Sequence, residues 1–370
     1  MKVLILSCTT GQGYNEAGQA IYEGLKKRKI DCDFEDGLSF ADEKAPRAVG
    51  SAYNLITTYI PKILGAIYKL GEFLSFKKIK SPVYKANEKY KEELYNFIID
   101  NGYDMVITTH LFPAQALSSL KEEKRINTHC VGIVADYAPA PLWEETHLDA
   151  YIIAHKDIAS DFISKGIPEE KLFPLGIPVK SDFLEKTDKL TAREILEIEQ
   201  DKPMYLIMTG SMGYGNIGSL IVSILNNYKN KVNIVVMGGI NKRMKSSLRS
   251  RFARQKNVYI KGYSKRIPLY MDACDVLFTK PGAQTSTEAA IKNIPIILTE
   301  EIPGVEAKNA EFFKEKGLAF YDTDISNQLS AAAKLIRNEQ ARNEMLEAQQ
   351  REINKNAAED ICDFILNFNR

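Results

Sequence analysis

Short apolar runs alternate with longer amphipathic stretches along most of the chain. The first run covers residues 2–7, KVLILS, and the polar turn TTGQGYN follows it. Ala17, Ile21 and Leu25 then recur at helical spacing, and basic residues end the stretch. A buried strand, a polar loop and an amphipathic helix in this order indicate a βαβ unit of a parallel sheet.

The same pattern recurs in both halves of the chain. Further buried strands are predicted at 104–110, 129–136, 150–155, 205–210, 233–239, 258–263, 275–280 and 295–300. The proline-punctuated stretch 166–183 interrupts this rhythm and is the predicted linker. We therefore predict an α/β fold with two doubly wound domains, 1–177 and 178–345. A C-terminal helical segment, 346–370, follows them, and packing back onto the first domain is one option for it.

Composition narrows the class of protein. The chain has 370 residues, 45% hydrophobic and 26% charged, with a net charge of +1. These values suit a globular protein and exclude a global basic field for nucleic acid. The five cysteines lie far apart in the sequence, so we expect no disulfide framework, no zinc site and a reducing compartment. The apolar start is too short for a signal peptide, and no uncharged run reaches the about 18 residues of a membrane span.

One segment, 48–85, breaks the α/β rhythm. An apolar stripe at helical spacing runs through it, aromatic residues lie beside the stripe, and Lys77, Lys78 and Lys80 follow. This combination suits an interfacial helix on an anionic membrane surface. An ordinary pair of core helices is the alternative, because most amphipathic stretches face protein. The stripe comprises Ile56, Ile60, Ile63, Ile67, Leu70 and Leu74.

Glycine-rich turns follow the first predicted strand of each half. Gly11 and Gly13 lie in the first turn, and the stretch 210–218, GSMGYGNIG, repeats the arrangement in the second half. Glycines let backbone N–H groups approach an anion, and the start of the following helix carries partial positive charge. Neither turn has the full dinucleotide fingerprint or the G-K-[ST] of a triphosphate-binding loop, so a plain tight turn is the alternative.

The sharpest local pattern is KPGAQTSTEAA, residues 280–290. Gly282 ends a strand-to-helix turn, and the stretch 285–288 places three hydroxyls and then Glu288 at the predicted helix start. Hydroxyls and free N–H groups suit phosphate, and a carboxylate beyond them can accept both hydroxyls of a ribose. The alternative is a structural capping box from Thr285 to Glu288.

His110 and Asp136 each lie at the end of a predicted strand in the first half. Ligands of open α/β sheets bind along the carboxyl edge of the strands, so both side chains are candidates for a ligand site. Either could take a proton from an attacking hydroxyl. The alternatives are a strand-end cap for His110 and a turn before Pro139 for Asp136.

Taken together, these stretches resemble the family of monogalactosyldiacylglycerol synthases and processive diacylglycerol glucosyltransferases. The resemblance rests on TTGQGYNEAGQAI, VADYAPAPLW, FPLGIPV, LIMTGSMGYGNI, VVMGG, GYSKRIPLYMDACDVLFTKPGAQTSTEA and PGVEAKNA, which occur in the family's order. It implies an inverting GT-B glycosyltransferase, with two Rossmann-like domains facing across a cleft, that uses a UDP-sugar and needs no metal or other cofactor. The implied acceptor is a diacylglycerol at a membrane, and 48–85 corresponds to the family's membrane-contacting part.

The resemblance also implies roles for individual residues. Asp136, or failing it His110, would be the catalytic base. The acceptor side would comprise Gly11, Gly13, Tyr14 and Trp143. The donor sugar would be held by Glu306 and Asn309. The implied nucleotide-binding residues are Gly210, Ser211, Gly213, Gly239, Gly262, Tyr263, Gly282, Thr285, Ser286, Thr287 and Glu288.

The chain departs from the family's pattern at three positions. Tyr14 and Ala140 replace two histidines, and Val305 replaces the glutamine of P-G-Q-E. The acceptor half is therefore altered, whereas the nucleotide half is complete. We expect a hexosyltransferase that uses a UDP-sugar and a diacylglycerol-like or other amphiphilic acceptor, peripheral to the inner face of the cell membrane and without nucleic acid. A sugar-nucleotide 2-epimerase or hydrolase and a non-catalytic UDP-binding homologue are the alternatives.

Overall fold

The computed structural model describes residues 1–9, 11–59, 65, 66, 68–71, 80–210, 213, 215–238 and 242–368, with the backbone alone for 53–59. The chain forms two compact units. The first comprises Met1–Lys180 together with Asn354–Arg370, and the second comprises Ser181–Ile353. The chain therefore leaves the first unit after Lys180 and returns to it at Asn354.

The first unit is built on a parallel sheet of six strands in the order β2-β1-β3-β4-β5-β6. The strands are β1 (Lys2–Ser7), β2 (Asp31–Asp36), β3 (Met105–Thr108), β4 (His129–Val134), β5 (Ala150–Ile153) and β6 (Leu172–Phe173). The helices are α1 (Gln12–Lys27), α2 (Ala45–Tyr59), α3 (Pro82–Asn87), α4 (Lys91–Asn101), α5 (Leu111–Glu122), α6 (Ala159–Ser164) and, from the C-terminal segment, α15 (Ala357–Asn367). The strand order reverses between β1 and β3, and ligands of open sheets bind at the carboxyl ends beside such a reversal.

Helix α15 completes the core of this first unit. Ile361 and Cys362 of α15 pack with Ile21 and Leu25 of α1 against the sheet. The two helices approach closely at Gly24, where a Cβ atom would lie 2.7 Å from Sγ of Cys362. Any larger residue at position 24 would therefore require the side chain of Cys362 to shift.

The second unit has a parallel sheet of six strands in the order β12-β11-β10-β7-β8-β9. The strands are β7 (Met204–Met208), β8 (Asn233–Met237), β9 (Val258–Lys261), β10 (Val276–Thr279), β11 (Ile296–Leu298) and β12 (Phe320–Tyr321). The helices are α7 (Lys189–Ile195), α8 (Ile217–Tyr228), α9 (Lys242–Arg251), α10 (Ile267–Ala273), α11 (Ala283–Ile291), α12 (Val305–Glu315), α13 (Ile325–Arg337) and α14 (Glu339–Glu352). The reversal here falls between β7 and β10, so the turns after these two strands flank the expected ligand position.

The structure tests only part of the prediction for segment 48–85. Of the predicted apolar stripe, Leu70 is described and is 58% exposed. Outside the described side chains lie Ile56, Ile60, Ile63, Ile67, Leu74, Lys77 and Lys78. Lys80 donates to Oε1 of Glu122 at 2.8 Å and to the carbonyl of Glu145 at 3.1 Å, so it serves contacts within the first unit. None of the described helices has the length and apolar character needed to cross a bilayer.

Candidate functional site

Three side chains predicted from strand ends and the first turn come together at the carboxyl edge of the first sheet: Tyr14, His110 and Asp136. Helix α1 begins after Gly11, whose φ of +90° is a left-handed conformation that favours glycine. A Cβ atom on Gly11 would also lie 2.8 Å from Cδ2 of Tyr14. Gly11 therefore leaves room for the tyrosine ring. Gly13 and Tyr14 follow it in the first turn of α1.

Asp136 is the buried carboxylate of this group. It lies two residues after β4 and is 5% exposed. Its Oδ2 accepts a hydrogen bond of 2.6 Å from the hydroxyl of Tyr14. Hydrogen bonds to a charged acceptor are short and strong, so Tyr14 holds this carboxylate in one orientation. A carboxylate fixed at the ligand-binding edge of a sheet is arranged to accept a proton from a bound hydroxyl.

His110 is a helix cap in the structure. Its Nδ1 accepts a hydrogen bond of 3.2 Å from the backbone N–H of Phe112, and its ring packs edge-on against Tyr14. Burial lowers the pKa of His110 to about 4, against a smaller opposing effect of Asp36, so the ring is neutral near pH 7. Because the lone pair of Nδ1 accepts this hydrogen bond, the ring proton is on Nε2. Neither ring nitrogen then has a free lone pair that could take a proton from a substrate. The geometry therefore favours Asp136 over His110 as a base.

Trp143, predicted on the acceptor side, lies in the interior of the first unit. It is 4% exposed, and its ring packs edge-on against that of Tyr151 with centroids 6.4 Å apart. A Cβ atom on Gly132 of β4 would lie 3.1 Å from Cζ3 of Trp143. The indole thus packs against β4 and β5, and its place on the acceptor side stays a prediction.

In the second unit, the start of α11 differs from the predicted capping box. The helix begins at Ala283, and Gly282 is its N-cap. Thr285 is already the third residue of the helix, so the capping box from Thr285 to Glu288 is wrong. The N–H groups of the first turn are therefore available directly after β10, at the carboxyl edge of the sheet.

The three neighbouring hydroxyls of α11 have different surroundings. Thr285 is partly exposed. Thr287 is 1% exposed, and its hydroxyl donates back to the carbonyl of Ala283 at 2.7 Å. Ser286 is also 1% exposed, and within the described part of the chain its Oγ has no hydrogen-bond partner. Of the three predicted phosphate contacts, Thr285 is the one that reaches the surface.

Glu288 lies on α11 beyond these hydroxyls and is 7% exposed. Its Oε1 accepts a hydrogen bond of 3.1 Å from the side-chain amide of Gln284, one turn earlier. Five residues separate Glu288 from Ala283, which corresponds to about 7.5 Å along the helix axis. This separation is of the order of the distance between the ribose and the diphosphate of a nucleotide. A nucleotide lying along α11 could therefore reach both the helix start and Glu288.

The two predicted donor-sugar residues lie on α12 and contact the turn before α11. Glu306 forms an ion pair through Oε1 with Lys280, and its Oε2 accepts a hydrogen bond of 2.9 Å from the N–H of Ile302. Asn309 is 1% exposed and donates from Nδ2 to the carbonyl of Pro281 at 3.4 Å. Polar groups of α12 are thus attached to the same edge of the sheet as the start of α11.

The glycine-rich turn after β7 is described in part. Gly210 has a φ of +68° and Gly213 a φ of +73°, and the N–H of Gly213 bonds to the carbonyl of Gly210 at 3.4 Å. Both conformations favour glycine. Ser211 and Gly239, also predicted to bind nucleotide, lie outside the described residues.

The predicted uracil contacts, Gly262 and Tyr263, follow β9. Tyr263 is 66% exposed, which leaves its ring accessible to a ligand. A Cβ atom on Gly262 would lie 3.0 Å from Nζ of Lys245, so a lysine of α9 reaches over this turn. No pattern in the sequence predicts Lys245 at this position.

Lys280 is the main residue that sequence reasoning missed. It follows β10 directly, pairs with Glu306 and lies against the turn of Gly210, where a Cβ atom would be 2.7 Å from its Cε. The available signal was a lysine at the carboxyl end of a central strand, directly before the Pro-Gly turn. Its side chain joins three of the predicted nucleotide and sugar elements.

Two family descriptions match consecutive parts of the chain. The description "Monogalactosyldiacylglycerol (MGDG) synthase" matches residues 15–179, and "Glycosyltransferase family 28 C-terminal domain" matches residues 204–363. The processive diacylglycerol beta-glucosyltransferase of Staphylococcus saprophyticus is 28% identical, over 85% of this chain and 80% of the relative. The enzyme of the same name from Staphylococcus carnosus is 27% identical, over 94% and 88%.

Solved structures share the fold over the whole length. Acinetobacter baumannii MurG aligns with a TM-score of 0.60 at 12% identity, covering 99% of both chains. MnaA of S. aureus, in a structure with UDP, aligns with a TM-score of 0.66 at 15% identity, covering 100% of this chain and 97% of that one. At such identities the similarity shows the GT-B fold alone. The two family matches show an MGDG synthase region at residues 15–179 and a glycosyltransferase family 28 C-terminal domain at residues 204–363, in a chain that is similar over most of its length to processive diacylglycerol beta-glucosyltransferases.

Proposed function

We propose that this protein is an inverting glycosyltransferase that moves a hexose from a UDP-sugar to the hydroxyl of a diacylglycerol-like lipid or a similar amphiphile. The observation that carries the proposal is the buried carboxylate of Asp136, which Tyr14 holds at the carboxyl edge of the first sheet. The names of the curated relatives support the acceptor class. The glycine turn after β7 and the start of α11 support a nucleotide in the second unit.

The proposed reaction assigns one proton transfer to Asp136. Its carboxylate takes the proton of the acceptor hydroxyl while the acceptor oxygen attacks the anomeric carbon of the sugar. The bond between that carbon and the phosphate oxygen breaks, and UDP leaves with the bonding electron pair. Because attack and departure occur on opposite faces, the anomeric configuration inverts. The UDP-sugar is the only co-substrate in this proposal, which includes no metal and no other cofactor.

A second candidate function follows from the altered acceptor residues. Tyr14 and Ala140 stand where the family carries histidines, whereas the nucleotide half keeps its pattern. A 2-epimerase or hydrolase of GT-B fold needs no acceptor, and a non-catalytic UDP-binding protein needs no base. Release of UDP from a nucleotide sugar without an acceptor would favour the first of these. Tight UDP binding without any turnover would favour the second.

We also propose that the protein acts at a membrane, and the proposed acceptor class supports this. A diacylglycerol-like acceptor lies in the bilayer and UDP-sugars are cytoplasmic metabolites, so we place the reaction at the inner face of the cell membrane, with the protein bound peripherally. Segment 48–85, with Lys77 and Lys78, supplies an apolar stripe and positive charge for such contact.

A donor-by-acceptor screen tests the proposed function. Purified protein is incubated with UDP-glucose, UDP-galactose or UDP-N-acetylglucosamine and with vesicles that contain diacylglycerol, and products are identified by mass spectrometry. We expect a glycosyl diacylglycerol whose anomeric configuration, read by proton NMR, is opposite to that of the donor. Retention of configuration would contradict inversion, and no transfer to any amphiphilic acceptor would contradict the proposed reaction.

A further inference from the structure

The ammonium group of Lys280 occupies the junction of three elements of the second unit. The residue directly follows β10, its side chain is 17% exposed, and it forms an ion pair with Oε1 of Glu306 on α12. Its Cε would be 2.7 Å from a Cβ on Gly210, and its Nζ would be 3.1 Å from a Cβ on Gly282. The lysine therefore lies between the glycine turn after β7 and the start of α11.

Two glycines lie beside the end of the Lys280 side chain. Gly210 has a left-handed φ of +68°, so a side chain there would strain the backbone and would also displace the end of the lysine side chain. At Gly282, the N-cap of α11, a side chain would press on the ammonium group. The ammonium group of Lys280 therefore lies close to the first-turn N–H groups of α11, and this combination is suited to an anion.

We propose that Lys280 is the cation that binds the terminal phosphate of UDP and stabilises UDP as the leaving group. This inference rests on the proposed function. When the bond to the sugar breaks, negative charge develops on the terminal phosphate, and a fixed positive charge beside it lowers the barrier. Neither the family matches nor the names of the relatives assign a role to this residue.

The positions along α11 explain why the terminal phosphate is the expected partner. Glu288, the candidate for the ribose, lies about 7.5 Å from Ala283 along the helix axis. Lys280 lies beyond the opposite end of the helix and is paired with Glu306, the candidate for the donor sugar. A UDP-sugar running from Glu288 toward Glu306 places its terminal phosphate beside Lys280.

The ion pair also predicts how the site changes when the donor binds. The ammonium group of Lys280 is largely buried and therefore needs a negatively charged partner. In this structure the partner is Glu306, whose side chain is 14% exposed. A phosphate beside Lys280 supplies a second anion, and Glu306 can then accept a hydroxyl of the sugar. Removal of the Glu306 charge should therefore leave UDP binding intact or strengthen it, whereas removal of the Lys280 charge should weaken it.

Calorimetric titration with UDP and with UMP tests the proposal without any knowledge of the acceptor. Lys280→Gln should weaken UDP binding by about ten- to hundredfold, because charge-assisted hydrogen bonds are lost. Binding of UMP, which lacks the terminal phosphate, should change by less than about twofold. Lys280→Arg should retain most of the UDP affinity, and Glu306→Gln should bind UDP at least as tightly as the unaltered protein.

A matched control is Lys314→Gln. Lys314 is an exposed lysine on the same helix as Glu306, about 12 Å further along its axis. This variant should bind both nucleotides as the unaltered protein does. If Lys280→Gln fails to fold, the double variant Lys280→Gln/Glu306→Gln replaces it, because it leaves no unpaired carboxylate behind.

The outcomes separate the inference from the function on which it rests. Equal losses for UDP and UMP in Lys280→Gln, or equal losses of UDP affinity in Lys280→Gln and Glu306→Gln, would show that the ion pair is purely structural. Unchanged UDP binding in Lys280→Gln would also overturn the inference, while the proposed function would stand. If the unaltered protein binds no UDP, the proposed function itself fails.

Discussion

The hydroxyl of Tyr14, in the first turn of α1, donates a hydrogen bond of 2.6 Å to Oδ2 of Asp136, two residues beyond β4. A phenol therefore contacts the carboxylate at a position where the resemblance implies an imidazole. A neutral phenol donates a hydrogen bond but is a far weaker base than a neutral imidazole. Tyr14 is thus suited to orient the carboxylate of Asp136. In the proposed reaction it is Asp136 that takes the proton of the acceptor hydroxyl.

Replacement of the carboxylate tests whether Asp136 is the base. Asp136→Asn keeps the shape of the side chain but removes its ability to take a proton. We expect kcat to fall by about 100- to 10,000-fold, the usual contribution of a positioned base. The dissociation constant of UDP should stay within about twofold, since the proposed function puts this residue on the acceptor side. Turnover at the original rate would show that another group removes the proton.

The role of the tyrosine hydroxyl is separable from that of its ring. Tyr14→Phe keeps the ring against His110 but removes the hydrogen bond to Asp136. Loss of a hydrogen bond to a charged group costs about 1.5–3 kcal/mol, so we expect kcat to fall by about ten- to hundredfold with little change in KM for the donor. Tyr14→His restores a donor at this position and should recover part of the rate. If Tyr14→Phe lowers the free energy of unfolding but leaves kcat unchanged, the role of the Tyr14 hydroxyl is structural only.

Glu288 is predicted to hold the ribose of the nucleotide. Glu288→Ala removes a nearly buried carboxylate and should weaken UDP binding by about ten- to hundredfold in calorimetry, because it deletes charge-assisted hydrogen bonds. Glu315→Ala, at the exposed end of α12, is the matched control and should leave UDP affinity unchanged. If a folded Glu288→Ala protein binds UDP with an unaltered dissociation constant, Glu288 does not hold the ribose. Its role is then limited to the hydrogen bond with Gln284.

The capping histidine makes stability dependent on pH. The pKa of His110 is lowered to about 4 in the folded protein, whereas an unfolded histidine titrates near 6.5. Between these values the unfolded chain binds more protons, so the free energy of unfolding falls as the pH drops from about 6.5 toward 4. Urea unfolding at pH 7.5 and pH 5 measures this loss. His110→Asn keeps a capping oxygen and should show a smaller loss, and an equal loss would assign the effect to other groups.

Membrane contact is tested at the two lysines that follow the apolar stripe. Lys77→Glu/Lys78→Glu should weaken binding to vesicles with anionic lipid by about thirtyfold or more, because each lysine contributes about 1 kcal/mol near such a surface. Co-sedimentation at low and high salt measures this, and salt should reduce the binding of the unaltered protein. The control is Lys314→Glu/Lys334→Glu, two exposed lysines of the second unit. Equal binding to neutral and anionic vesicles would exclude the charge-based contact.

Much of the fold could be predicted because its central strands are buried on both faces and read as continuous apolar runs. β1, β3 and β4 are examples. The strand β2 was missed because it lies at the edge of its sheet and has the polar sequence DCDFED. β6 and β12 were missed because two residues give no periodicity. Edge strands take their conformation from a neighbouring strand, which a local pattern does not show.

The candidate site was predictable to the same degree. Asp136 could be identified because it follows a buried strand, and Gly282 because it lies in a strand-to-helix turn. The partners of these groups could not be found in this way. Tyr14 and Asp136 are 122 residues apart in sequence, so only the folded chain brings them together. The pairing of Lys280 with Glu306 depends likewise on where α12 packs.

The return of α15 to the first unit has a consequence for biosynthesis. Residues 357–367 supply part of the core beside α1, so the apolar face around Ile21 and Leu25 stays uncovered until those residues have left the ribosome. The unit formed by Ser181–Ile353 is continuous in sequence and is synthesised completely before then. The unit that begins at the N-terminus is therefore the one that completes its core last. Until then, chaperones would meet it with the apolar face of α1 uncovered.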